Sequence, residues 1–331
     1  MYLRFDTTAV RAQHLPVQHG AFPRDDSQAI CGGSIPEGDG RPAFVLRRPP
    51  HFAIPILIAV PHAGRDYPAS LLSRMRLADE AAPRLEDRYV DLIARKVADA
   101  TGAALLVANA PRAMIDLNRS PDDVDWEMIA GARARTQRSR LAAGRRSRSG
   151  LGLVPRRLPG IGELWNQRIR AAELKARIDQ VHSPYHLALT RTLESLRDRW
   201  GAALLVDMHS MPPLGPKTGE GRAADFVIGD RFGGSCESAL VAAALGHLDA
   251  AGAHVVHNRP YAGGYVLDRH GAPARGLSAM QLEICRATYL DAGLREPSAG
   301  VDEVAQTVTG LIRRLADQMT RGAQGFAQAA E

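Results

Sequence analysis

Cysteine is scarce in this chain of 331 residues, and its three copies are far apart in the sequence. Cys31, Cys236 and Cys285 form no CxxC pair, which argues against a disulfide framework and against a thiolate zinc site. Long apolar runs are also missing. The longest, residues 54–60, is the size of a strand and falls far short of the roughly 20 residues that cross a bilayer. The N-terminal residues lack the apolar centre of a signal peptide, so we expect a cytoplasmic protein.

Acidic residues are absent from one segment, and this segment accounts for the basic charge of the chain. The net charge is +6, yet residues 133–157 contain nine arginines and no acid, and the remainder of the chain is slightly acidic. No aromatic residues are interleaved with these arginines to stack on bases. We therefore expect a long surface loop at residues 126–160, rich in Arg, Gly and Ser. Binding of nucleic acid is a less favoured alternative.

The rest of the composition is that of an ordinary globular protein. Hydrophobic residues make up 45% and charged residues 24% of the chain, which is enough for a core of normal size. Residues 1–45 carry Gly and Asp clusters and are predicted to form a loosely ordered extension. Because no internal repeat and no linker follows, we predict a single α/β domain over residues 46–322.

Apolar runs alternate with segments of helical spacing along this domain. Strands are predicted at 54–60, 103–107, 202–206, 225–228, 254–256 and 279–284, and helices at 86–100, 161–200, 237–251 and 301–319. The helical pattern at 161–200 is interrupted near Pro184. Strands that alternate with helices form a largely parallel sheet that is covered on both faces. The sequence therefore predicts an α/β fold.

Two histidines occupy the same kind of position. His62 follows the predicted strand at 54–60, and His209 follows the one at 202–206. In open α/β sheets, ligands bind beyond the carboxyl ends of strands, so both imidazoles can reach one crevice. Imidazole is a common zinc ligand, and a catalytic zinc site needs three protein ligands and a water. The alternative, two unrelated loop histidines, stays open on this pattern alone.

Carboxylates that could complete such a site follow or precede these histidines. Glu86 and Asp87 are predicted to begin the helix after His62, where acids often only compensate the helix dipole. Asp207 precedes His209 by two residues. If the strand continues, both side chains point to one face, and Asp207 would orient the imidazole.

Glu283 is an acid within an apolar strand. Alternation puts it on one face with Gln281 and Cys285, opposite three apolar residues. Burying an acid is costly unless it is paired or functional, and a carboxylate beside a zinc-bound water is the usual general base of a zinc hydrolase. The alternative is an edge strand with Glu283 in solvent.

Polar groups are also concentrated at residues 112–119. Asp116 and Asn118 alternate with apolar residues, and Arg112 and Arg119 flank them. Guanidinium groups bind carboxylates through two hydrogen bonds, so this segment indicates an acidic substrate. An internal salt bridge between Asp116 and an arginine is the alternative.

Nine segments occur in the order in which one known family carries them. They resemble the N-formylglutamate amidohydrolase family over residues 54–291, and DLNR is similar to the substrate-binding segment of aspartoacylases in the wider zinc carboxypeptidase-like group. The segments are PHAGRDYP, Glu86-Asp87, PRAMIDLNR, GLGLVPR, SPYH, LLVDMHSMP, DFVIGDRFGGSC, NRPYAGGY and MQLEICRATYLD.

The resemblance implies a three-layer α/β/α fold with a mixed sheet and one Zn2+ per chain. It implies His62 as the first metal ligand and His209 as the last. The acid ligand of the family matches Asp87, with Glu86 as an adjacent alternative. The carboxypeptidase-like relatives take their second ligand from a His-x-x-Glu motif, but that position is Arg65 here, which cannot bind zinc.

The resemblance also implies the chemistry. Glu283 matches the general base, and Arg112 would stabilise the oxyanion together with zinc. Asp116, Asn118 and Arg119 match the substrate-binding group, in which Asp116 orients an arginine. The implied substrate is a small acidic N-acyl amino acid, foremost N-formyl-L-glutamate. A zinc peptidase or amidase for peptide or cell-wall substrates, and an inactive binding protein, are the alternatives.

Overall fold

Short apolar segments form the strands of the protein. The computed structural model describes residues 29–49, 52–131, 150–216 and 221–328. The strands of these residues are β1 (Ala29–Gly32), β2 (Phe44–Arg47), β3 (Ile56–Val60), β4 (Ala104–Ala108), β5 (Ile129–Ala130), β6 (Arg157–Leu158), β7 (Gly162–Glu163), β8 (Ile169–Arg170), β9 (Ala203–Met211), β10 (Phe226–Gly229), β11 (Val255–His257) and β12 (Leu277–Cys285).

Helices connect most of these strands. None of the helices among the described residues is long and apolar enough to cross a membrane. They are α1 (Ala69–Leu72), α2 (Ala78–Leu85), α3 (Val90–Thr101), α4 (Ala171–Arg177), α5 (Ser183–Trp200), α6 (Ser238–Ala250), α7 (Tyr265–His270) and α8 (Gly300–Gln328).

Eight of the strands form one mixed sheet, in the order β1-β2-β4-β3-β9-β12-β10-β11. The four central strands, β4, β3, β9 and β12, are parallel to one another. β2 pairs antiparallel with β4, and β10 pairs antiparallel with β12. The predicted mixed, largely parallel sheet is confirmed.

Two apolar cores cover the two faces of this sheet. Because side chains alternate along a strand, Leu57 and Ala59 of β3 point into one core, and Ile56, Ile58 and Val60 point into the other. The first core packs against α2, α5 and α7, and the second packs against α3, α6 and α8. The three-layer α/β/α arrangement is therefore confirmed.

The described part of the predicted extension belongs to the sheet. β2 pairs with β4, and its residues Phe44, Val45 and Leu46 are buried. β1 then pairs with β2 as the edge strand. The boundary predicted at residue 45 is therefore wrong, because two strands of only four residues each are too short to stand out among the neighbouring glycines. Residues 1–28 lie outside the described residues.

The helix predicted at 86–100 begins later than expected. α2 ends at Leu85, and Tyr89 has a left-handed backbone conformation with φ of 59° immediately before α3. A non-glycine residue in that conformation interrupts a helix. Glu86 and Asp87 therefore lie in the connection between two helices and not in the first turn of one.

The helix predicted at 161–200 is also shorter at its start, since residues 162–163 and 169–170 are strands β7 and β8. Pro184 does not interrupt it. A proline in the first turn of a helix needs no hydrogen-bond partner for its nitrogen, and Pro184 lies in the first turn of α5. A π-helical turn, Ile178–His182, joins α4 to α5.

The described ends of the predicted loop at 126–160 are anchored to the domain. The Arg156 guanidinium bonds the carboxylates of Asp125, Glu127 and Glu163 at 2.9 to 3.0 Å. Leu153 and Val154 are buried. Seven of the nine arginines predicted to lie in the surface loop fall in residues 132–149, outside the described residues.

Neutral histidines of α5 and of the π-helical turn before it hold the segment that carries Asp116 and Asn118. His186 Nε2 donates to the Leu117 carbonyl at 3.0 Å, which leaves its Nδ1 to accept from His270 Nε2 at 3.0 Å. His182 Nε2 lies 2.9 Å from the Arg119 carbonyl. Burial lowers the pKa of all three histidines, that of His270 to about 3. The segment therefore depends on uncharged imidazoles.

A fall in pH should lower the free energy of unfolding, because the buried histidines His182, His186 and His270 are neutral in the folded protein. An unfolded histidine has a pKa of about 6.5, whereas the folded pKa of His270 is about 3. Below pH 6.5 the unfolded chain binds a proton that the folded protein does not, so stability is lost as the pH falls from about 6.5 towards 3. For His270 alone we expect a loss on the order of 2 kcal/mol between pH 6.5 and 5.

Urea unfolding of the chelator-treated protein at pH 7, 6 and 5 measures this loss. The matched variant is His270→Gln, whose amide can still donate to His186 but does not titrate. Its free energy of unfolding should change less over the same range. Equal pH dependence of the two proteins would contradict the assignment.

Candidate active site

The two predicted histidines meet where β3 ends and β9 continues. β3 pairs with β9 from Ile56 to Ala59, and His62 lies in the turn that follows β3. The sequence predicted that His209 follows a strand ending at residue 206. In the structure β9 extends to Met211, so His209 lies within this strand. β12 pairs with β9 over all nine residues, and this long ladder carries β9 past the end of β3. The His62 ring centroid lies 4.8 Å from that of His209.

Asp87 lies between these two imidazoles. Its Oδ2 is 2.9 Å from His209 Nδ1 and 3.5 Å from His62 Nδ1. Its backbone N–H donates to the His62 carbonyl at 2.9 Å, which fixes the two loops against each other. One ligand atom from each of the three residues lies within 4.8 Å of the others, and all three are buried. They form a group that could hold a metal ion.

Glu86, the alternative acid, is directed elsewhere. Its carboxylate accepts a hydrogen bond from the Arg88 guanidinium at 3.0 Å. Burial raises the pKa of Glu86, and the positive charges of Arg88 and Arg65 oppose that shift. Of the two adjacent acids, the structure brings only Asp87 to the histidines.

The outer nitrogen of each imidazole is bound by a second carboxylate. His62 Nε2 lies 2.7 Å from Asp116 Oδ1, and His209 Nε2 lies 2.8 Å from Asp207 Oδ2. In a metal site, a carboxylate at the outer nitrogen of a histidine fixes the ring and makes the nitrogen that faces the metal a stronger ligand. The predicted orientation of His209 by Asp207 agrees with this geometry.

The resemblance puts Asp116 among the substrate-binding residues, but in the structure it lies behind His62 and does not line the cavity. Its Oδ1 also accepts from the Asn118 backbone N–H at 2.8 Å, and its Oδ2 accepts from Arg112 Nε at 2.9 Å. The predicted orientation of an arginine by Asp116 is present. Its bond to His62 was missed, because 54 residues separate the two in the chain.

The charges around the imidazoles suit a cation. Burial alone would raise the pKa of Asp87, but hydrogen bonds from His209 and His62 lower it well below its usual value. Burial would lower the pKa of His209, but Asp207 and Asp87 raise it well above its usual value. Two imidazoles and one carboxylate are also a donor set that catalytic zinc sites use. The residues present therefore fit a divalent metal ion.

Glu283 lies directly beside His209 in the sheet. The two residues are register partners in β12 and β9. Glu283 is 6% exposed and accepts a hydrogen bond from Gln281 Nε2 at 2.8 Å. Since β12 lies between β9 and β10, the alternative of an edge strand is excluded. Burial, with the Asp87 charge adding to it and His209 opposing it, raises the pKa of Glu283 to about 7.

These groups open into a cavity of about 700 Å3 that also carries positive charge. The cavity is lined by Arg112, Asn118 and Arg119, the residues for which the sequence indicates an acidic substrate. The Arg119 guanidinium is held by the carbonyls of Leu151 at 3.0 Å and Asn118 at 2.9 Å. Asn118 Oδ1 accepts from the Val266 backbone N–H at 2.9 Å.

Arg286 is a cavity residue that the sequence reasoning missed. Its Nε donates to Ser210 Oγ at 3.0 Å, and its NH2 group lies 3.4 Å from Asp87 Oδ1 and bonds the Glu86 carbonyl. It therefore binds the Asp87 oxygen that does not face the histidines. A cation directly after the apolar strand of Glu283 was the available signal.

Comparison with known proteins supports the resemblance seen in the sequence. The family model for N-formylglutamate amidohydrolase matches residues 54–290. An N-formylglutamate deformylase of Pseudomonas putida is 32% identical over 272 residues, which cover 79% of this chain and 91% of that protein. One of Pseudomonas aeruginosa is 31% identical over 278 residues, covering 80% and 92%.

A solved structure is similar over nearly its whole length. The N-formylglutamate amidohydrolase of Ralstonia eutropha JMP134 superposes with a TM-score of 0.76 at 33% identity, over 85% of this chain and 99% of that one.

Removing the charge of Asp207 should weaken metal binding. Asp207→Asn keeps the shape of the side chain but loses the carboxylate that keeps His209 basic at its inner nitrogen. We expect the affinity for Zn2+ to fall about 10- to 100-fold, as measured by competition with a chromogenic chelator. Asp99→Asn, at a surface carboxylate paired with Arg47, is the control and should bind as wild type. An unchanged affinity in Asp207→Asn would count against the site.

Proposed function

Because the chain belongs to the N-formylglutamate amidohydrolase family, we propose that it hydrolyses the amide bond of N-formyl-L-glutamate and releases formate and L-glutamate. The observation that carries this proposal is the buried group of His62, Asp87 and His209 beside a carboxylate, Glu283, whose pKa is raised to about 7. Similarity to the deformylases of two Pseudomonas species supports the choice of substrate.

We take the metal to be zinc. The atoms that would hold it are His62 Nδ1, His209 Nδ1 and an Asp87 carboxylate oxygen, which face one another. When bound, zinc supplies a Lewis acid that lowers the pKa of a coordinated water and polarises a carbonyl group. Asp116 and Asp207 would keep both rings in the tautomer that donates outward, and Arg286 would hold the second oxygen of Asp87.

Glu283 would act as the general base and then as the general acid. Its Oε1 accepts from Gln281, so Oε2 is the oxygen available to the attacking water. A carboxylate with a pKa near the working pH can accept the proton of that water and then return it to the leaving nitrogen. Its position beside His209 keeps both transfers next to the reacting carbon.

The polar groups of the segment 112–119 would bind the anionic parts of the reactant. Arg112 is anchored through Nε by Asp116, so its remaining N–H groups can stabilise charge on the carbonyl oxygen. Asn118 Oδ1 accepts from Val266, so the donating group of Asn118 is its Nδ2, which lies 3.4 Å from Gln281 Oε1. Asn118 and Arg119 would hold the α-carboxylate of the substrate.

A second candidate keeps the same chemistry but takes a larger substrate. The cavity reaches beyond the buried acids to Arg84, Leu158 and Arg295, and its volume of about 700 Å3 lies within the range of sites for drug-sized molecules. This extra room favours an amidase or peptidase that acts on a longer acidic acyl-amino compound.

Replacing the proposed base should separate turnover from metal binding. Glu283→Gln keeps the size and polarity of the side chain but cannot accept the proton of water. We expect it to retain Zn2+ at one per chain, measured by plasma emission, while kcat falls by about 10²- to 10⁴-fold. The contrasting variant is His209→Ala, which should lose the metal itself. Wild-type turnover by Glu283→Gln would overturn this mechanism.

A panel of substrates distinguishes the two candidate functions. The protein should hydrolyse N-formyl-L-glutamate with a higher kcat/KM than N-acetyl-L-aspartate or a short acidic peptide. The assay follows release of formate or of free amine, with and without prior treatment by chelator and readdition of Zn2+. A preference for the peptide would favour the second candidate, and turnover that survives complete metal removal would exclude both.

A further inference from the structure

The loop that follows β11 is fixed against the end of β10. Asn258 donates its backbone N–H to the Ile228 carbonyl at 2.8 Å, and its side-chain oxygen accepts from the Asp230 backbone N–H at 3.0 Å. The Arg231 N–H donates to the Ala262 carbonyl at 2.8 Å. Gly229 permits this close approach, because a Cβ there would lie 2.8 Å from the Ala262 carbonyl carbon. The loop therefore has one fixed path, and Tyr261 is its cavity-lining aromatic residue.

The Tyr261 ring is seated on the same face of the sheet as the reacting groups. It packs against a small buried cluster that includes Met211, Val227 and Cys285. Met211 and Cys285 are register partners, as His209 and Glu283 are two residues earlier on the same two strands. Since side chains two residues apart share a face and lie about 6.5 Å apart, the cluster that holds the ring lies one step along this face from His209 and Glu283.

The Tyr261 side chain forms part of the cavity wall. Tyr261 lines it together with His62, Asp87 and Glu283, while its ring is held by the apolar cluster. Among the residues that the structure describes, none forms a hydrogen bond with this hydroxyl. Burial and then the negative charges of Glu283 and Asp87 raise its pKa, so the group is a neutral donor at working pH.

We propose that the Tyr261 hydroxyl is a catalytic donor that binds the carbonyl oxygen of the scissile amide as negative charge develops on it. This inference rests on the proposed function. A neutral donor near the general base would be close to the carbon that water attacks, whereas Asn118 and Arg119 would hold the substrate α-carboxylate. Arg112 and Tyr261 would thus supply two donors to one oxygen, each preorganised by the protein: Arg112 by Asp116, and Tyr261 by its packed ring.

Tyr261→Phe tests this role, because it removes the hydroxyl and keeps the ring on its apolar cluster. We expect kcat for N-formyl-L-glutamate to fall about 10²-fold, with KM changed by less than about threefold, since the donor acts mainly on the transition state. Zinc content and the Kd of the product L-glutamate, which lacks the reacting carbonyl, should stay unchanged. Tyr265→Phe is the matched control: its hydroxyl is bound by Arg269 at 2.9 Å, and it does not line the cavity.

A binding measurement separates this proposal from the choice of substrate. N-phosphono-L-glutamate replaces the formyl carbon with a tetrahedral anionic phosphorus, and its affinity should fall at least tenfold in Tyr261→Phe, by isothermal titration calorimetry. If wild-type protein binds this probe but does not turn over N-formyl-L-glutamate, the proposed function fails while the role of Tyr261 is still decided by the variant. Equal affinity of the wild type and Tyr261→Phe for this probe overturns the role. A raised KM with unchanged kcat in Tyr261→Phe also overturns it, because the hydroxyl would then bind a substrate carboxylate.

Discussion

Two buried imidazoles, bound at their outer nitrogens by Asp116 and Asp207 and at their inner nitrogens by Asp87, are the interaction on which the rest of the structure depends. Removing one partner from a buried charge pair costs on the order of 3–5 kcal/mol, because the other charge is left without compensation. The carboxylates therefore have to be supported on every side. Much of the surrounding structure provides that support, through Arg112 behind Asp116 and Arg286 beside Asp87.

The support comes from regular structure and not from the loops alone. The nine-residue ladder of β9 and β12 fixes His209 against Glu283. On the other side, neutral histidines of α5 and of the π-helical turn before it hold the carbonyls of Leu117 and Arg119, which sets the path of this segment. Groups carried on strands or clamped by a helix keep their geometry within the narrow limits that catalysis requires. The family's SPYH segment, which includes His186, is explained by this structural role.

Neighbours, and not burial alone, separate the acids into different roles. Asp87 and Glu283 are both buried, yet the pKa of Asp87 is lowered well below its usual value while that of Glu283 is raised to about 7. Asp87 bonds His209 and lies 3.5 Å from His62 Nδ1, whereas Glu283 accepts its hydrogen bond from the neutral amide of Gln281. One acid thus stays ionised and suited to a metal, and the other is suited to proton transfer.

The sequence by itself determined the alternation of strands and helices, the association of His62 and His209 with two buried strands, and the face on which Glu283 lies. These features depend on local periodicity, which is written in neighbouring residues. Only the tertiary structure decided that Asp87 and not Glu86 joins the histidines, that Asp116 stands behind His62, and that Arg286 binds Asp87. Those choices join residues that are 54 and 199 positions apart, and no local pattern records which distant partner a buried charge will meet. The short strands β1 and β2 escaped prediction for the same reason, because β2 becomes a strand by pairing with β4, and β1 by pairing with β2.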